Sequence, residues 1–272
     1  NKSIDLVINA SVSKMNHELS QHLSPSYASL IADKLGITNA HSFDVSNACA
    51  SMATSLMIAE SRIRSGQANF ALVVSGEHIT PIIAEAKRRN LYLNPRAIAS
   101  LTVGDGAAAY ILGPTEEEGR LKFSEPFTLA QHNRLCIGQA CKNHRGPQMR
   151  TKAKELQNGV LDNLGIFLQR SIQKMGIKWN QIDHTYSHPT TPKAVKKGAK
   201  IATDFLGEIN FLHNDSAETA NTASTTHGVL LEISHENKYL NSNESVLLVS
   251  FGSGLAMVAI YLKLPQGVEK WS

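Results

Sequence analysis

Apolar positions along the chain fall into two alternating patterns, unbroken short runs and rows spaced three or four apart. "IDLVINASV" (4–12) is a β-branched run, which predicts a buried strand. "SPSYASLIADKLG" (24–36) opens with Ser and Pro and closes with Gly, the start and stop signals of a helix. "AHSFDV" (40–45) predicts a short strand. From Cys49 onward, Met52, Leu56, Ala59 and Ile63 recur with helical spacing, and Gly66 ends the row. "NFALVVSG" (69–76) and "GDGAAAYILG" (104–113) predict two more strands.

The same order then recurs. "QIDHTYSHP" (181–189) reads as a weak strand running into a loop, and "TPKAVKKGAKIATDFLG" (191–207) as a helix. "EINFL" (208–212) predicts a short strand, and "TANTASTTHGVLLEIS" (219–234) a helix with small residues on one side. "ESVLLVSFG" (244–252) and "GLAMVAIYL" (254–262) predict two strands joined near Gly-Ser-Gly. Strands alternating with helices predict layered α/β packing, and apolar strands predict sheets buried on both faces. The repetition divides the chain into a half at 1–113 and a matching half at 177–272. The polar stretch between them, 114–176, reads as an insertion or long loop followed by an amphipathic helix from 151 to 176.

Composition narrows the picture. At 272 residues and 42% hydrophobic, the chain has ample material for a core. A net charge of +4 with 18% charged residues carries no nucleic-acid signature, and no recognition motif accompanies the basic residues. Three cysteines do not make a secreted disulfide framework, so a reduced, cytoplasmic setting is expected. No run reaches the roughly 18 apolar residues of a membrane span, and no signal peptide is visible.

Cys49 is the first chemical candidate. Buried cysteines often serve only as small hydrophobes. This one follows a strand after a short link and opens a helix, where free N–H groups and the helix dipole favour a thiolate. Strand–turn–helix also exposes a nucleophile at an elbow. A thiolate nucleophile normally has a partner. His188 lies just past the first strand of the second half, in the loop-like "SHPTTP"; the plainer reading is a surface or capping histidine. Asn221, in "ETANTAST" at the start of the last long helix, is by the plainer reading an N-cap.

"DVSNACASM", "ALVVSGEHIT" and "GDGAAAYILG", with "SHPTTP", "ANTAST" and "SFGSGLAMVAIYL", resemble the condensing enzymes of the thiolase superfamily, nearest the 3-oxoacyl-(acyl carrier protein) synthase III type. The resemblance implies a five-layer αβαβα thiolase-like fold working as a homodimer. It implies a Cys–His–Asn triad at Cys49, His188 and Asn221. The cysteine would take an acyl group from acyl-CoA or an acyl-carrier protein and pass it to a carbanion made by decarboxylating a malonyl thioester. His188 and Asn221 would donate to the enolate oxygen, and the backbone N–H groups of Cys49 and Ser253 would hold the acylation oxyanion. No tightly bound cofactor is implied; coenzyme A or a phosphopantetheine thioester enters as substrate. Relatives that move the acyl group to oxygen, nitrogen or water, and a non-catalytic partner subunit, are the alternatives.

The chain departs from the family pattern at several points. Ser51 stands where glycine is usual, His188 is followed by Pro189, Thr190 and Thr191, and Asn221 sits in Ala220-Asn221-Thr222-Ala223. The glycine loop reads Gly252-Ser253-Gly254. These changes bear on the acyl group and acceptor more than on the thiol chemistry. The family also has a segment before "IDLVINASV" that supplies a sheet strand, so a separate N-terminal segment or chain is expected to complete the sheet.

Two basic clusters remain. Lys193, Lys196, Lys197 and Lys200 lie at i, i+3, i+4 and i+7 and share one helix face. Lys142, Arg145, Arg150, Lys152 and Lys154 form the second. Each is either a solvated surface or a dock for an acidic carrier or the phosphates of coenzyme A. His132, Cys136, Cys141 and His144 supply four zinc-type ligands, but not at finger spacing, so no metal is expected. Residues 85–100 occupy the place of the family's loop beside the acyl tunnel. Asp105 is expected to be a turn or cap residue.

Overall fold

A computed structural model describes residues 4–15, 19–89, 91–116, 120–142, 145–188, 191–213 and 219–268. In chain order the elements are β1 (Leu6–Asn9), α1 (Tyr27–Lys34), β2 (His41–Asp44), α2 (Ser51–Arg64), β3 (Ala71–Glu77), α3 (Thr80–Lys87) and β4 (Gly106–Leu112). There follow β5 (Leu121–Phe123), β6 (Phe127–Thr128), β7 (Cys136–Ala140), β8 (Pro147–Thr151) and α4 (Ala153–Met175). The chain continues with β9 (His184–Ser187), α5 (Pro192–Leu206), β10 (Leu212–His213), α6 (Thr226–Glu236), β11 (Ser245–Gly252) and β12 (Ala256–Lys263). Short 3-10 turns include Pro95–Thr102 and Ala223–Thr225.

The chain forms two compact units. One comprises Asn1–Glu116, Ile137–Thr151 and Thr222–Thr225; the other comprises Glu117–Cys136, Lys152–Asn221 and Thr226–Ser272. The first is built on a sheet ordered β2-β1-β3-β4, in which β1 is parallel to β2 and β3, and β4 is antiparallel to β3. The second is built on β10-β9-β11-β12-β5, with β9 parallel to β10 and β11, and β12 antiparallel to β11. The first four strands of each sheet therefore have the same order and the same directions.

The central strands follow from their sequences. All four residues of β1 are buried, and so are seven of the eight in β11, as expected of strands covered on both faces. β4 departs from that expectation. It alternates, with Ala107, Ala109 and Ile111 exposed, because it ends the β2-β1-β3-β4 order and only one of its faces is packed.

The stretch 114–151 is more structured than an insertion or long loop. β5 and β6 pair with β12, extending the second sheet, while β7 and β8 pair with one another. α4 then runs for 23 residues and stops at Gly176, whose φ of 61° is the left-handed conformation that glycine adopts without strain. Leu164, Phe167 and Leu168 of α4 pack with Ala202 of α5 and with Leu247, Val249, Met257 and Ala259 of the sheet. That cluster anchors the second unit.

The last helix begins later than its pattern indicates. Thr219 is helical, but Ala220, Asn221 and Thr222 are not; a 3-10 turn follows at Ala223–Thr225, and α6 starts at Thr226. Ala220 and Ala223 both have positive φ, 57° and 52°, which bends the chain ahead of the helix.

Candidate active site

In the first unit, Cys49 sits in the connection from β2 to α2. The helix proper starts at Ser51, so Cys49 precedes it rather than opening it. The elbow is tight: Ala48 has φ 47°, a conformation rarely adopted by residues with a side chain. Ser51, fully buried, braces it. Its Oγ accepts from Asn47 N–H at 2.7 Å and donates to the Ala48 carbonyl at 2.6 Å. Asn47 Nδ2 adds a bond to Thr54 Oγ1 at 2.9 Å, and Thr54 Oγ1 donates to the Ala50 carbonyl. Ser51 is thus part of the frame around the cysteine.

Cys49 is half-buried and packs into an apolar cluster of Ile79, Val103, Ala223, Ile82, Ile83 and Met149. α3 contributes Ile82 and Ile83, Ile79 caps its start, and that start is held from across the chain. The Asp105 carboxylate accepts from Ile79 N–H at 2.7 Å, Thr80 N–H at 2.8 Å and the Thr80 hydroxyl at 2.8 Å. Burial alone would raise the Asp105 pKa, but the bonds from Thr80, His78 and Ile79 outweigh it and hold the pKa below the usual value. Asp105 is a capping residue, as its sequence context indicates.

Glu77, at the end of β3, carries no signal in the sequence beyond closing an apolar run. It is 4% exposed and accepts from Val12 N–H, from Ser13 N–H and hydroxyl, and from Ser224. Ser75 and Ser224 hydroxyls lie 2.7 Å apart beside it. This network ties the 222–225 turn, next in sequence to Asn221, onto the end of β3.

In the second unit, His188 follows β9, its N–H bonded to the Val249 carbonyl at 2.8 Å. It is not a surface histidine: it is 4% exposed, and its Nδ1 is buried with no hydrogen-bond partner among the described residues. His227 of α6 lies beside it, ring centroids 6.4 Å apart, with Nδ1 3.1 Å from Ser250 Oγ. Burial, and secondarily the neighbouring His227, pushes the His188 pKa down to about 3. Burial also lowers His227 to about 4, against hydrogen bonds to the backbone at Val249 and Tyr186 that raise it. Both imidazoles are neutral at neutral pH. Asn221 is half-buried, two residues ahead of the 3-10 turn, so it is not the N-cap of a helix. Ser253 lies in the turn between β11 and β12, before Gly254, whose φ of 128° suits glycine.

The two units place their candidate residues at related points. Cys49 lies between β2 and α2, Asn221 between β10 and α6, and β2 and β10 occupy the same place in the two strand orders. His188 follows β9, the counterpart of β1.

Lys193, Lys196, Lys197 and Lys200 are exposed on α5, opposite buried Val195 and Ala202; Lys200 pairs with Asp204 at 2.9 Å. Arg150 is exposed on β8, and Lys152 pairs with Glu155 at 2.9 Å. Of the cysteine–histidine set, His144 lies outside the described residues. Cys141 Sγ is 3.4 Å from Glu85 Oε1, and His132 lies against Gly159 of α4. Among the described residues, no three His, Cys, Asp or Glu side chains gather as a metal site. Among the same residues, no helix is long and apolar enough to cross a membrane.

Two mixed sheets of matching order, with a cysteine at a strand–helix elbow, define an α/β protein of two like-ordered units. Residues 43–126, which include Cys49, match the family model of 3-oxoacyl-[acyl-carrier-protein] synthase III. The chain is 24% identical over 261 residues to a beta-ketoacyl-[acyl-carrier-protein] synthase III of Clostridium botulinum, covering 93% of this chain and 74% of that protein. It superposes with a TM-score of 0.80 on the synthase III, FabH, of Xanthomonas oryzae pv. oryzae, at 22% identity, over 96% of this chain and 76% of that one. Xanthomonas campestris OleA with bound lauric acid and lauroyl-CoA gives a TM-score of 0.79 at 24% identity, over 96% and 76%. The chain is thus similar to synthases of the 3-oxoacyl-[acyl-carrier-protein] synthase III type, and its fold matches theirs.

Proposed function

We propose that the protein is an acyl-thioester-dependent condensing enzyme in which Cys49 is the nucleophile. The observation that carries this reading is the Cys49 elbow: a thiol ahead of a helix N-terminus, on a backbone bent at Ala48, with an apolar wall against it. The helix end favours negative charge on sulfur. The apolar wall suits an acyl chain.

Cys49 Sγ attacks the carbonyl of an acyl-CoA or acyl-carrier thioester and expels the carrier thiol, leaving an acyl-enzyme. The backbone N–H groups of Cys49 and Ser253 stabilise the oxyanion. A malonyl thioester then loses CO₂, and the resulting carbanion attacks the acyl carbon, releasing Cys49 as the leaving group. His188 and Asn221 donate hydrogen bonds to the enolate oxygen of the malonyl thioester. What supports this role for His188 is its neutrality: with a pKa near 3 it enters as a neutral donor, with no cation to be discharged at working pH. The exposed lysines of α5, Lys193, Lys196 and Lys197, are the proposed dock for an acidic carrier or for coenzyme A phosphate, with Arg150 and Lys152 as a second basic contact.

Intact mass spectrometry after incubation with acyl-CoA tests the reading. An acyl adduct is expected on the native protein and none on Cys49→Ala. Added malonyl thioester should then release CO₂ and a product two carbons longer. Release of free acid, ester or amide instead would make the protein an acyltransferase or thioesterase-like relative. No adduct from any acyl thioester would overturn both.

A further inference from the structure

β8 has two chemically opposite faces. Met149 joins the apolar cluster around Cys49, while Gln148 and Arg150, on either side of it in sequence, line a cavity of about 440 Å³. α3 and the residues after it divide the same way. Ile82 and Ile83 join the cluster; Glu85, Arg88 and Arg89 line the cavity.

One side of the cavity is built from buried polar groups. Glu85 and Gln148 are 7% and 6% exposed. Arg89 is fixed between them: its Nε and Nη2 donate to Glu85 Oε1 at 3.0 and 2.9 Å, and Nη2 donates to Gln148 Oε1 at 2.6 Å. Gln148 Nε2 in turn donates to the Ala140 carbonyl at 3.1 Å. The remaining cations, Arg88, Lys142 and Arg150, are exposed. Four cations and one carboxylate leave the described lining with a charge of 4 − 1 = +3. Glu85 is already engaged by Arg89, and by Arg88 at 3.7 Å. Like charges converging on a concavity favour a counter-anion, and guanidinium groups match phosphate oxygens in geometry as well as charge.

We propose that this cavity is a phosphate-binding site, taking a phosphate monoester or free phosphate between Arg88, Lys142 and Arg150, with Arg89 held in place by Glu85 and Gln148. Because β8 separates it from the Cys49 cluster, it is distinct from the thiol site. The inference requires no thioester chemistry; Arg150 is also one of the proposed coenzyme A contacts, so with coenzyme A as ligand it deepens the function proposed above, and with free phosphate it stands apart from it.

Isothermal titration of the Cys49→Ala protein, which keeps the reading independent of acyl transfer, tests it with inorganic phosphate, coenzyme A and dephospho-coenzyme A. Saturable binding of phosphate or coenzyme A is expected, weakening as salt rises. Lys142→Ala combined with Arg150→Ala should lower the affinity about tenfold or more. Both side chains are exposed, so the thermal melt without ligand should stay unchanged; should the double variant fail to fold, Arg88→Gln should weaken binding in the same direction. Tighter binding of coenzyme A than of dephospho-coenzyme A, with the difference abolished in the variant, would support the site with the ribose phosphate as its ligand. Phosphate binding that is lost in the variant, with the two nucleotides equal, would support it with free phosphate as the ligand. No saturable binding of any of the three, or equal affinity in native and variant proteins, overturns the proposal.

Discussion

The two units share a strand order but divide the polar work unequally. The first surrounds its cysteine with Ile79, Ile82, Ile83, Val103 and Met149, and places one of its buried carboxylates, Glu77, among serine hydroxyls and backbone N–H groups. The second buries histidines instead. His188 and His227 lie near one another, and His213 sits 3.1 Å from His184 and stacks on Tyr186 at 4.0 Å. The same scaffold thus carries an apolar, nucleophilic connection in one unit and neutral imidazoles in the other. Topology sets where a connection emerges from a sheet; the side chains on it set what it can do.

Three substitutions or conditions press on that contrast, from the largest effect to the smallest. His188→Ala should leave acyl loading of Cys49 nearly intact while lowering condensation by about 10²–10³-fold, the usual cost of removing one donor to a developing oxyanion. Single-turnover loading measured against product formation separates the two steps. Equal loss in both would remove the proposed division of labour between units.

Acidification should strike through the second unit. His188, His213 and His227 have folded pKa values of about 3, 4 and 4 against an ordinary 6.5. Burial is the first cause in each. The unfolded chain therefore binds more protons below pH 6.5. Their contribution to stability is complete above that pH and is lost as pH falls toward 4, by at most roughly 1.4 kcal/mol per histidine per pH unit. Urea unfolding between pH 7 and 4.5 should show a steadily falling midpoint, and His213→Gln should flatten the slope.

The smallest effect belongs to the elbow. Ser51→Ala removes the partner of the half-buried Asn47 N–H and should cost about 1 kcal/mol. Chemical denaturation reads this directly. A loss near zero would mean that Ser51 does not brace the bend at Ala48.

Much of this was legible in the sequence, for physical reasons. β1, β3, β11 and β12 are buried runs rich in β-branched and aliphatic residues, and α2 and α4 carry strong apolar rows with glycine or serine at their ends. The repeated order was visible because both halves keep those runs. The bends around the candidate site were not. Ala48, Ala220 and Ala223 adopt positive φ, and alanine gives no sign of doing so. That is why the helix after Asn221 was expected too early and Cys49 was placed on α2 instead of before it. β5 and β6 are three and two residues long, too short to show a period, so their pairing with β12 was hidden in a polar stretch. Arg88 and Arg89 are far in sequence from Lys142 and Arg150; only the packing of β8 beside α3 makes one cavity of them. His227 had a weak signal, a histidine among small residues in a helix that had to pack closely.

The alternation along β8 also constrains how this protein can change over generations. Successive side chains of the strand serve unlike neighbours: hydrocarbon around the thiol for Met149, a cationic hollow for Gln148 and Arg150. Inserting or deleting one residue upstream within the strand would exchange the two faces, turning a guanidinium toward the cysteine and a thioether toward water. Point substitutions can be tried one at a time here; single-residue length changes cannot. Lineages descended from this chain should therefore vary in length at the turn between β7 and β8, while β8 itself keeps its register.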